Sequence, residues 1–209
     1  MPYKVLIVDD QRMSRKLFES IVAASENYTV AAAVETAMFA DAWCAGGGID
    51  LVLMDVVMKD GSNGLEAAAR IKVSYPAIKV IIVTSMPDPM FLRKAREANV
   101  DSFWYKEVES EPMLRVMDRT MAGEQVWPDR APEVMLGMIR NTELTDREMD
   151  VLRLLAEGLT DREIGERLCL ALPTVRYHVR NLITKTGYSS RTELAVDAVR
   201  SGLTIPGIG

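Results

Sequence analysis

The chain has 209 residues, of which 48% are hydrophobic, and a formal net charge of -5 at pH 7. This length accommodates one large domain or two modest ones, and the apolar content excludes a disordered chain. The negative charge argues against a uniformly basic nucleic-acid binder, so any such role must come from a local patch. The two cysteines, Cys44 and Cys169, are predicted to be reduced thiols in the core of a cytoplasmic protein. No segment is long and apolar enough to predict a membrane span.

The first 123 residues alternate short apolar runs with amphipathic stretches. The apolar runs predict strands at 4–8, 28–34, 49–55, 79–85 and 101–106. The amphipathic stretches predict helices near 12–25, 36–45, 63–74, 88–98 and 109–123. This alternation indicates an α/β fold with a five-stranded parallel sheet covered on both faces. In such sheets ligands bind beyond the carboxyl ends of the strands.

Charged and hydroxyl side chains stand at those carboxyl ends. Asp9 and Asp10 follow the first strand, Asp55 ends the third, and Thr84 and Lys106 end the fourth and fifth. Adjacent carboxylates repel each other unless a cation lies between them, and oxygen ligands with open water positions suit Mg²⁺. The pattern therefore predicts a magnesium site that also receives a phosphoryl group, which Lys106 and the Thr84 hydroxyl would bind. Each aspartate taken alone would be an ordinary turn or helix-capping residue.

The pattern changes after residue 123. Residues 124–141, with two prolines in "GEQVWPDRAPEV", are predicted to form a linker that ends in a short helix near 133–139. The remaining sequence predicts four helices joined by tight turns, as in a helix-turn-helix module, at 145–157, 160–168, 172–186 and 189–201. Capping boxes are predicted at the first two of these helices, formed by Thr145 with Glu148 and by Thr160 with Glu163.

Basic charge in this tail is local. No acidic residue lies between Glu166 and Glu193, whereas five basic residues do. Helix 172–186 is predicted to present an outward face to the major groove of DNA. On that face the residues suited to base edges are Tyr177, Arg180 and Asn181, and Arg176 lies on its flank. Thr174, Lys185 and Arg191 suit contacts to DNA phosphates. A small bundle with a solvated basic face would explain the helices but not the acid-free interval.

Residues 3 to 123 resemble the receiver domain of bacterial two-component response regulators, because the acidic pair, the central aspartate, the threonine and the lysine are all present. The resemblance implies that a histidine kinase phosphorylates Asp55. The Mg²⁺ ligands that it implies are Asp10 and Asp55 directly, Asp9 through water, and Val57 through its backbone carbonyl.

The same resemblance implies that Phe103 is an aromatic switch, whose ring turns inward when Thr84 moves toward the phosphoryl group. Taken alone, Phe103 would be interpreted as a packed core aromatic. Family members commonly have proline at the position of Lys59, so the loop after Asp55 is expected to be less rigid here, with Lys59 a solvated surface lysine.

Residues 142 to 202 resemble the C-terminal DNA-binding domain of the LuxR class. The motifs that carry this resemblance are "LTDRE", "GLTDREIGERL" and "TVRYHVRNLITK". The family usually has Ser or Thr at Ala171, the expected N-cap of the recognition helix, where Pro173 in the first turn can partly compensate. The whole chain is thus similar to NarL/FixJ-type response regulators, with a receiver at 1–123, a linker at 124–141 and a helix-turn-helix domain at 142–209.

This resemblance implies a transcription factor that forms a homodimer on double-stranded DNA when phosphorylated. Two alternatives stay open: a DNA-binding regulator that ignores phosphorylation and uses the receiver as a dimerisation module, and a tail that binds a protein partner. An enzyme is least favoured, because the sequence reveals no second substrate pocket or general base.

Overall fold

The structure is a computed structural model that describes residues 1–106 and 111–204. The chain divides into two compact units, the first formed by Met1–Ser85 and Phe91–Arg130 and the second by Met86–Met90 and Ala131–Gly209. Two parts of the sequence predictions, residues 109–110 of the fifth helix and residues 205–209 of the tail, lie outside the described residues. Within the described part of the chain, no helix has both the length and the apolar character needed to cross a membrane.

The first unit contains the predicted five-stranded parallel sheet. Its strands are β1 (Tyr3–Val8), β2 (Tyr28–Val34), β3 (Leu51–Asp55), β4 (Lys79–Thr84) and β5 (Ser102–Tyr105), in the order β2-β1-β3-β4-β5. The apolar residues of β1, β3 and β4 are almost all inaccessible to solvent. Burial on both faces explains why these strands appear in the sequence as continuous apolar runs rather than as alternating patterns.

Five helices alternate with these strands: α1 (Arg12–Ala23), α2 (Ala40–Ala45), α3 (Gly64–Ser74), α4 (Pro89–Glu97) and α5 (Met113–Met121). The prediction was wrong at the start of α2, which begins four residues after residue 36. The Ala37 N–H donates to the Ser62 hydroxyl at 3.1 Å, and the Met38 N–H donates to the Thr36 hydroxyl at 3.1 Å. Such side-chain bonds compete with the helical bonds of the backbone.

The short helix predicted near 133–139 is wrong. This stretch forms a two-stranded antiparallel hairpin, β6 (Met135–Leu136) and β7 (Ile139–Arg140), followed by one 3₁₀ turn at Asn141–Glu143. Gly137 in the turn has a φ of 61°, and a Cβ there would lie 2.1 Å from the Thr186 carbonyl oxygen. The tight turn therefore requires glycine, and this requirement outweighs the helix-like apolar spacing of "MLGMI".

The second unit contains the four predicted tail helices, α6 (Asp146–Ala156), α7 (Asp161–Leu168), α8 (Leu172–Thr186) and α9 (Arg191–Arg200). Both predicted capping boxes are confirmed, at Thr145 and at Thr160. Helix α8 starts after Ala171 without a side-chain cap and with proline in its first turn, as predicted. Buried apolar residues from all four helices form a single core.

Neither cysteine forms a disulfide, and Cys44 is buried as predicted. The prediction that Cys169 is a core thiol is wrong, because this residue is exposed. It ends α7 in the left-handed conformation, with a φ of 54°, three residues before α8 begins.

Candidate functional site

The register of the sheet brings the predicted site residues to one edge. Val8 pairs with Met54, and Asp55 pairs with Val83, so the first, third and fourth strands end at nearly the same level. One carboxylate oxygen from each of Asp9, Asp10 and Asp55 lies within 4.8 Å of the others. It is the only such cluster of potential metal ligands within the described ranges. We call these three residues the acidic cup.

Lys106 lies in the same place. Its Nζ donates to Asp9 Oδ2 at 2.6 Å and to Asp55 Oδ2 at 2.7 Å. Its backbone N–H donates to the Thr84 carbonyl at 2.9 Å, which aligns the ends of β4 and β5. Three carboxylates against one ammonium leave two negative charges uncompensated, which a divalent cation would neutralise.

The buried Asp9 is held by groups that sequence analysis missed. The Ser14 hydroxyl donates to Asp9 Oδ2 at 2.5 Å, and the Gln11 N–H donates to Asp9 Oδ1 at 2.8 Å. Arg15 Nη1 donates to the Asp9 carbonyl at 2.6 Å. Ser14 and Arg15 lie in the first turn of α1, which follows the acidic pair in the chain, so their donor groups were the signal that the sequence offered.

Asp10 is held by the backbone of the opposite loop. Its Oδ2 accepts the Lys59 N–H at 3.0 Å, a bond that the proline common at this position in the family cannot make. The Lys59 side chain is exposed, as predicted. The same loop is closed by a bridge between Val57 and Asn63, and the Asn63 side chain caps α3 by accepting the Leu65 N–H at 2.9 Å. These bonds restrain the loop that was expected to be less rigid.

Burial dominates the electrostatics of Asp55. Desolvation raises its pKa to about 6 from an ordinary 3.8; Lys106 lowers the pKa, and the Asp9 charge raises it. Burial also lowers the pKa of Lys106, but the charges of Asp55 and Asp9 outweigh this and raise it overall. At neutral pH the site therefore presents a buried carboxylate, mostly ionised and held against an ammonium group.

Thr84 and Phe103 both lie close to this edge, and both are almost completely buried, with 1% exposure each. The Phe103 ring centroid is 4.9 Å from that of Tyr105 and 6.1 Å from that of Trp127. The packed position of Phe103 agrees with the core interpretation of this residue, and its role as a switch stays a prediction.

The predicted outward face of α8 is exposed in the second unit. Tyr177 has 61% of its surface exposed, and Arg176 and Arg180 are exposed as well. Thr174 and Asn181 are half-buried. Val175, Val179 and Leu182 are buried on the opposite side, in the core of the unit.

Two of the residues assigned to DNA phosphates are engaged within the second unit. Lys185 Nζ pairs with both carboxylate oxygens of the buried Glu148, at 2.7 and 2.8 Å. Arg191 donates to Asp161 and to the Leu159 carbonyl, each at 2.8 Å. The first pair joins α8 to α6, and the bonds of Arg191 join the start of α9 to the start of α7 and to the turn before it.

Removing the Lys185 charge should destabilise the second unit. Burial raises the pKa of Glu148, but bonds from Lys185 and Thr145 hold it below its ordinary value. In Lys185→Met, Glu148 stays buried without its cation, which costs about 1–3 kcal/mol after allowance for the partial exposure of Lys185. Chemical denaturation should show this loss, whereas Arg180→Met, which among the described residues breaks no ion pair, should leave the free energy of unfolding unchanged.

Comparison with known proteins identifies the chain. Residues 5–118 match the model of the response regulator receiver domain, and residues 142–198 match that of the luxR family of bacterial regulatory proteins. The first match alone spans more than half of the sequence. This chain belongs to the response regulators. Response regulator protein VraR of Staphylococcus aureus strain Mu3 is 31% identical to it over 211 residues, covering 97% of this chain and 99% of VraR.

Solved structures resemble this response regulator over nearly its whole length. An RcsB–DNA complex has a TM-score of 0.58 at 18% identity and covers 96% of this chain and 99% of RcsB. RcsB from Salmonella enterica serovar Typhimurium, bound to the promoter rprA with the phosphomimetic BeF3⁻, has a TM-score of 0.57 at 18% identity. That alignment covers 92% of this chain and 96% of RcsB. At this identity the likeness confirms the predicted fold, a receiver sheet with a helical C-terminal domain.

Proposed function

We propose that this response regulator accepts a phosphoryl group on Asp55 from a phosphohistidine of its histidine kinase, and that the transfer switches its control of transcription. The observation that carries the proposal is the acidic cup itself, with Lys106 Nζ 2.7 Å from Asp55 Oδ2. The proposed domains are the receiver at 1–123, the linker at 124–141 and the helix-turn-helix domain at 142–209. The alternative is a regulator that ignores phosphorylation and uses the receiver only to dimerise.

The acidic cup fits Mg²⁺, since its donors are carboxylate oxygens and its uncompensated charge matches that of the ion. Asp10 and Asp55 would bind the ion directly, Asp9 through water and Val57 through its carbonyl. When bound, Mg²⁺ supplies charge neutralisation for the oxygens of the transferred group.

Asp55 acts as the nucleophile. One of its carboxylate oxygens forms a bond to phosphorus while the bond from phosphorus to the histidine nitrogen breaks, and the imidazole keeps that electron pair. The Lys106 ammonium, which donates to Asp55 in the free protein, would then donate to a phosphoryl oxygen. The Thr84 hydroxyl would donate to another phosphoryl oxygen. Because a pKa of about 6 leaves Asp55 mostly ionised at pH 7, a base is not required.

The DNA-contacting element would be α8. Tyr177, Arg180 and Asn181 would reach base edges in the major groove, Thr174 would contact a phosphate, and Arg176 would lie on the flank of this face, where it pairs with Asp161 at 3.7 Å. Lys185 and Arg191 would also contact phosphates. Each already pairs with a carboxylate and would have to divide its hydrogen bonds between that carboxylate and the phosphate, so its contribution to DNA affinity should be smaller. The RcsB–DNA complex supports this assignment by its similarity of fold.

The active form would be a homodimer on two half-sites, joined in part through α9. Val196 on this helix leaves 60% of its surface exposed, an apolar contact that a second copy could cover. A solved structure of two RcsB dimers bound to two parallel DNAs, with a TM-score of 0.58, supports the proposal by analogy.

Sequencing the genomic DNA fragments retained by the purified protein tests the function. The fragments should be enriched strongly by wild type treated with acetyl phosphate and Mg²⁺, and weakly by untreated wild type or by Asp55→Asn under the same treatment. Equal enrichment by all three samples would favour the alternative. Binding should also weaken steeply with added salt, and an affinity insensitive to salt would point to a protein partner instead.

Arg180→Gln should weaken binding at the enriched sites by about 10- to 100-fold, because a good bidentate contact to a base discriminates by about 1–3 kcal/mol. Arg70→Gln is the matched control, since Arg70 is an exposed arginine on α3 of the receiver, outside both the proposed reading face and the proposed dimer contact on α9. Fluorescence anisotropy with a labelled duplex measures both. Equal affinities for the two variants would contradict the assignment of α8.

Lys59→Pro should lower the affinity for Mg²⁺ by about tenfold, because it removes the N–H that orients Asp10, and groups that orient a metal ligand typically contribute at least this much. Lys59→Ala keeps the N–H and should bind like wild type. Isothermal titration calorimetry without a phosphodonor separates the two. Equal affinities would show that the bond to Asp10 is dispensable.

A further inference from the structure

The start of the linker lies along the open edge of the receiver sheet. β5 is the last strand of the sheet, and its Phe103 N–H donates to the Val126 carbonyl at 2.9 Å. The Val126 N–H in turn donates to the Ser102 hydroxyl at 3.1 Å. Residue 126 therefore satisfies backbone and side-chain groups of an edge that would otherwise face solvent.

The next residue covers the proposed switch. The Trp127 ring stacks on Phe103, with centroids 6.1 Å apart and an interplanar angle of 28°. The Arg96 guanidinium of α4 lies 4.7 Å above the same indole. Phe103 is 1% exposed, whereas Trp127 is half-buried, so the tryptophan lies on the solvent side of the pair. We call residues 126–127 the strap.

The strap shortens the free linker. Glu124 is also tied down, since its N–H donates to the Arg119 carbonyl at 2.9 Å and its carboxylate pairs with Arg119 at 2.7 Å. With the strap in place, residues 128–130 connect Trp127 along the chain to Ala131, where the main segment of the second unit begins. At roughly 3.5 Å per residue this spans about 14 Å, against about 25 Å if the chain is free from Glu124 onward.

We propose that the strap couples the receiver to the linker: Trp127 is a positioning residue for Phe103, and phosphorylation of Asp55 releases it. This inference rests on the proposed function of Asp55. If the Phe103 ring turns to follow Thr84, it no longer stacks on Trp127. The hydrogen bond from the Phe103 N–H to Val126 is then no longer supported by the ring contact of the adjacent residue. The released linker gives the DNA-binding residues the reach to pair on two half-sites.

The exchange rate of one amide hydrogen tests the strap in the full-length protein, because the Phe103 N–H is bonded to Val126. Trp127→Leu should speed exchange at this amide by roughly two- to tenfold, the factor expected for one aromatic pair. Trp127→Phe keeps an aromatic face and should restore most of the protection. Trp43→Leu, on α2 and 44% exposed, is the matched control and should change nothing at Phe103.

A second experiment adds beryllofluoride with Mg²⁺ and measures its binding and the exchange rate of the Phe103 amide by NMR. Binding at Asp55 should speed Phe103 amide exchange in wild type to the rate of Trp127→Leu, should add nothing further in that variant, and should have no effect in Asp55→Asn. If wild type does not bind beryllofluoride, the proposed function fails, while the Trp127→Leu comparison still decides whether the strap holds. Unchanged exchange in Trp127→Leu, or in wild type with beryllofluoride bound, would overturn this inference alone.

Discussion

Replacing Gly64 with alanine is expected to lower the free energy of unfolding by more than about 3 kcal/mol and to stop phosphorylation. A Cβ at this position would lie 1.7 Å from the Asp55 carbonyl oxygen and 2.8 Å from its carbonyl carbon. Because both contacts are with backbone, no side-chain rotation relieves them, and Asp55 itself must shift. Thermal or chemical denaturation measures the first effect, and incorporation of phosphate from acetyl phosphate measures the second.

Gly46→Ala is the matched control for this prediction. Gly46 ends α2 with a φ of -65°, and a Cβ there would come no closer than 3.5 Å to another atom. Alanine adopts that conformation without strain, so stability should stay constant or rise by about 0.4–1 kcal/mol. If Gly64→Ala were as stable as Gly46→Ala, the packing of α3 against the end of β3 would be wrong.

Asp55→Asn is expected to stabilise the metal-free protein at pH 7 by about 2–3 kcal/mol. A folded-state pKa of about 6 against an ordinary 3.8 means that burial penalises the charged carboxylate, and the neutral amide removes that penalty.

Excess Mg²⁺ should stabilise wild type, by about 2.7 kcal/mol at a hundred times its dissociation constant. It should stabilise Asp55→Asn less, because one anionic ligand is lost.

The pH dependence of this effect has a definite sign. The folded state binds the Asp55 proton more tightly than the unfolded state, so stability falls as pH rises from about 4 to about 6 and the penalty is complete above that range. The advantage of Asp55→Asn over wild type in metal-free buffer should therefore grow across the same window. Urea denaturation at several pH values measures it, and a constant difference between the two proteins would contradict a buried Asp55 with a raised pKa.

Much of the fold follows from local sequence patterns. Buried parallel strands require long apolar runs, and both "KVLIV" and "KVIIVT" form strands as predicted. Carboxylates that follow such strands must meet at one edge once the strands are parallel, which is why Asp9, Asp10 and Asp55 could be grouped from the sequence. Capping boxes are local too, and Thr145 and Thr160 marked two tail helices correctly.

The features that sequence analysis missed depend on contacts between distant residues. The hairpin at Gly137 depends on the approach of Thr186, which no local pattern reveals. The engagement of Lys185 by Glu148 likewise requires knowing that α6 and α8 pack together. Trp127 stood in a segment interpreted only as linker, and its contact with Phe103 became visible only in three dimensions.

Intact-mass measurement of the protein incubated with acetyl phosphate tests the proposed trigger most directly. We expect one added phosphoryl group per chain, dependent on Mg²⁺, mapped to Asp55 and absent from Asp55→Asn. An unmodified wild-type protein, or modification that persists in Asp55→Asn or without magnesium, would contradict it.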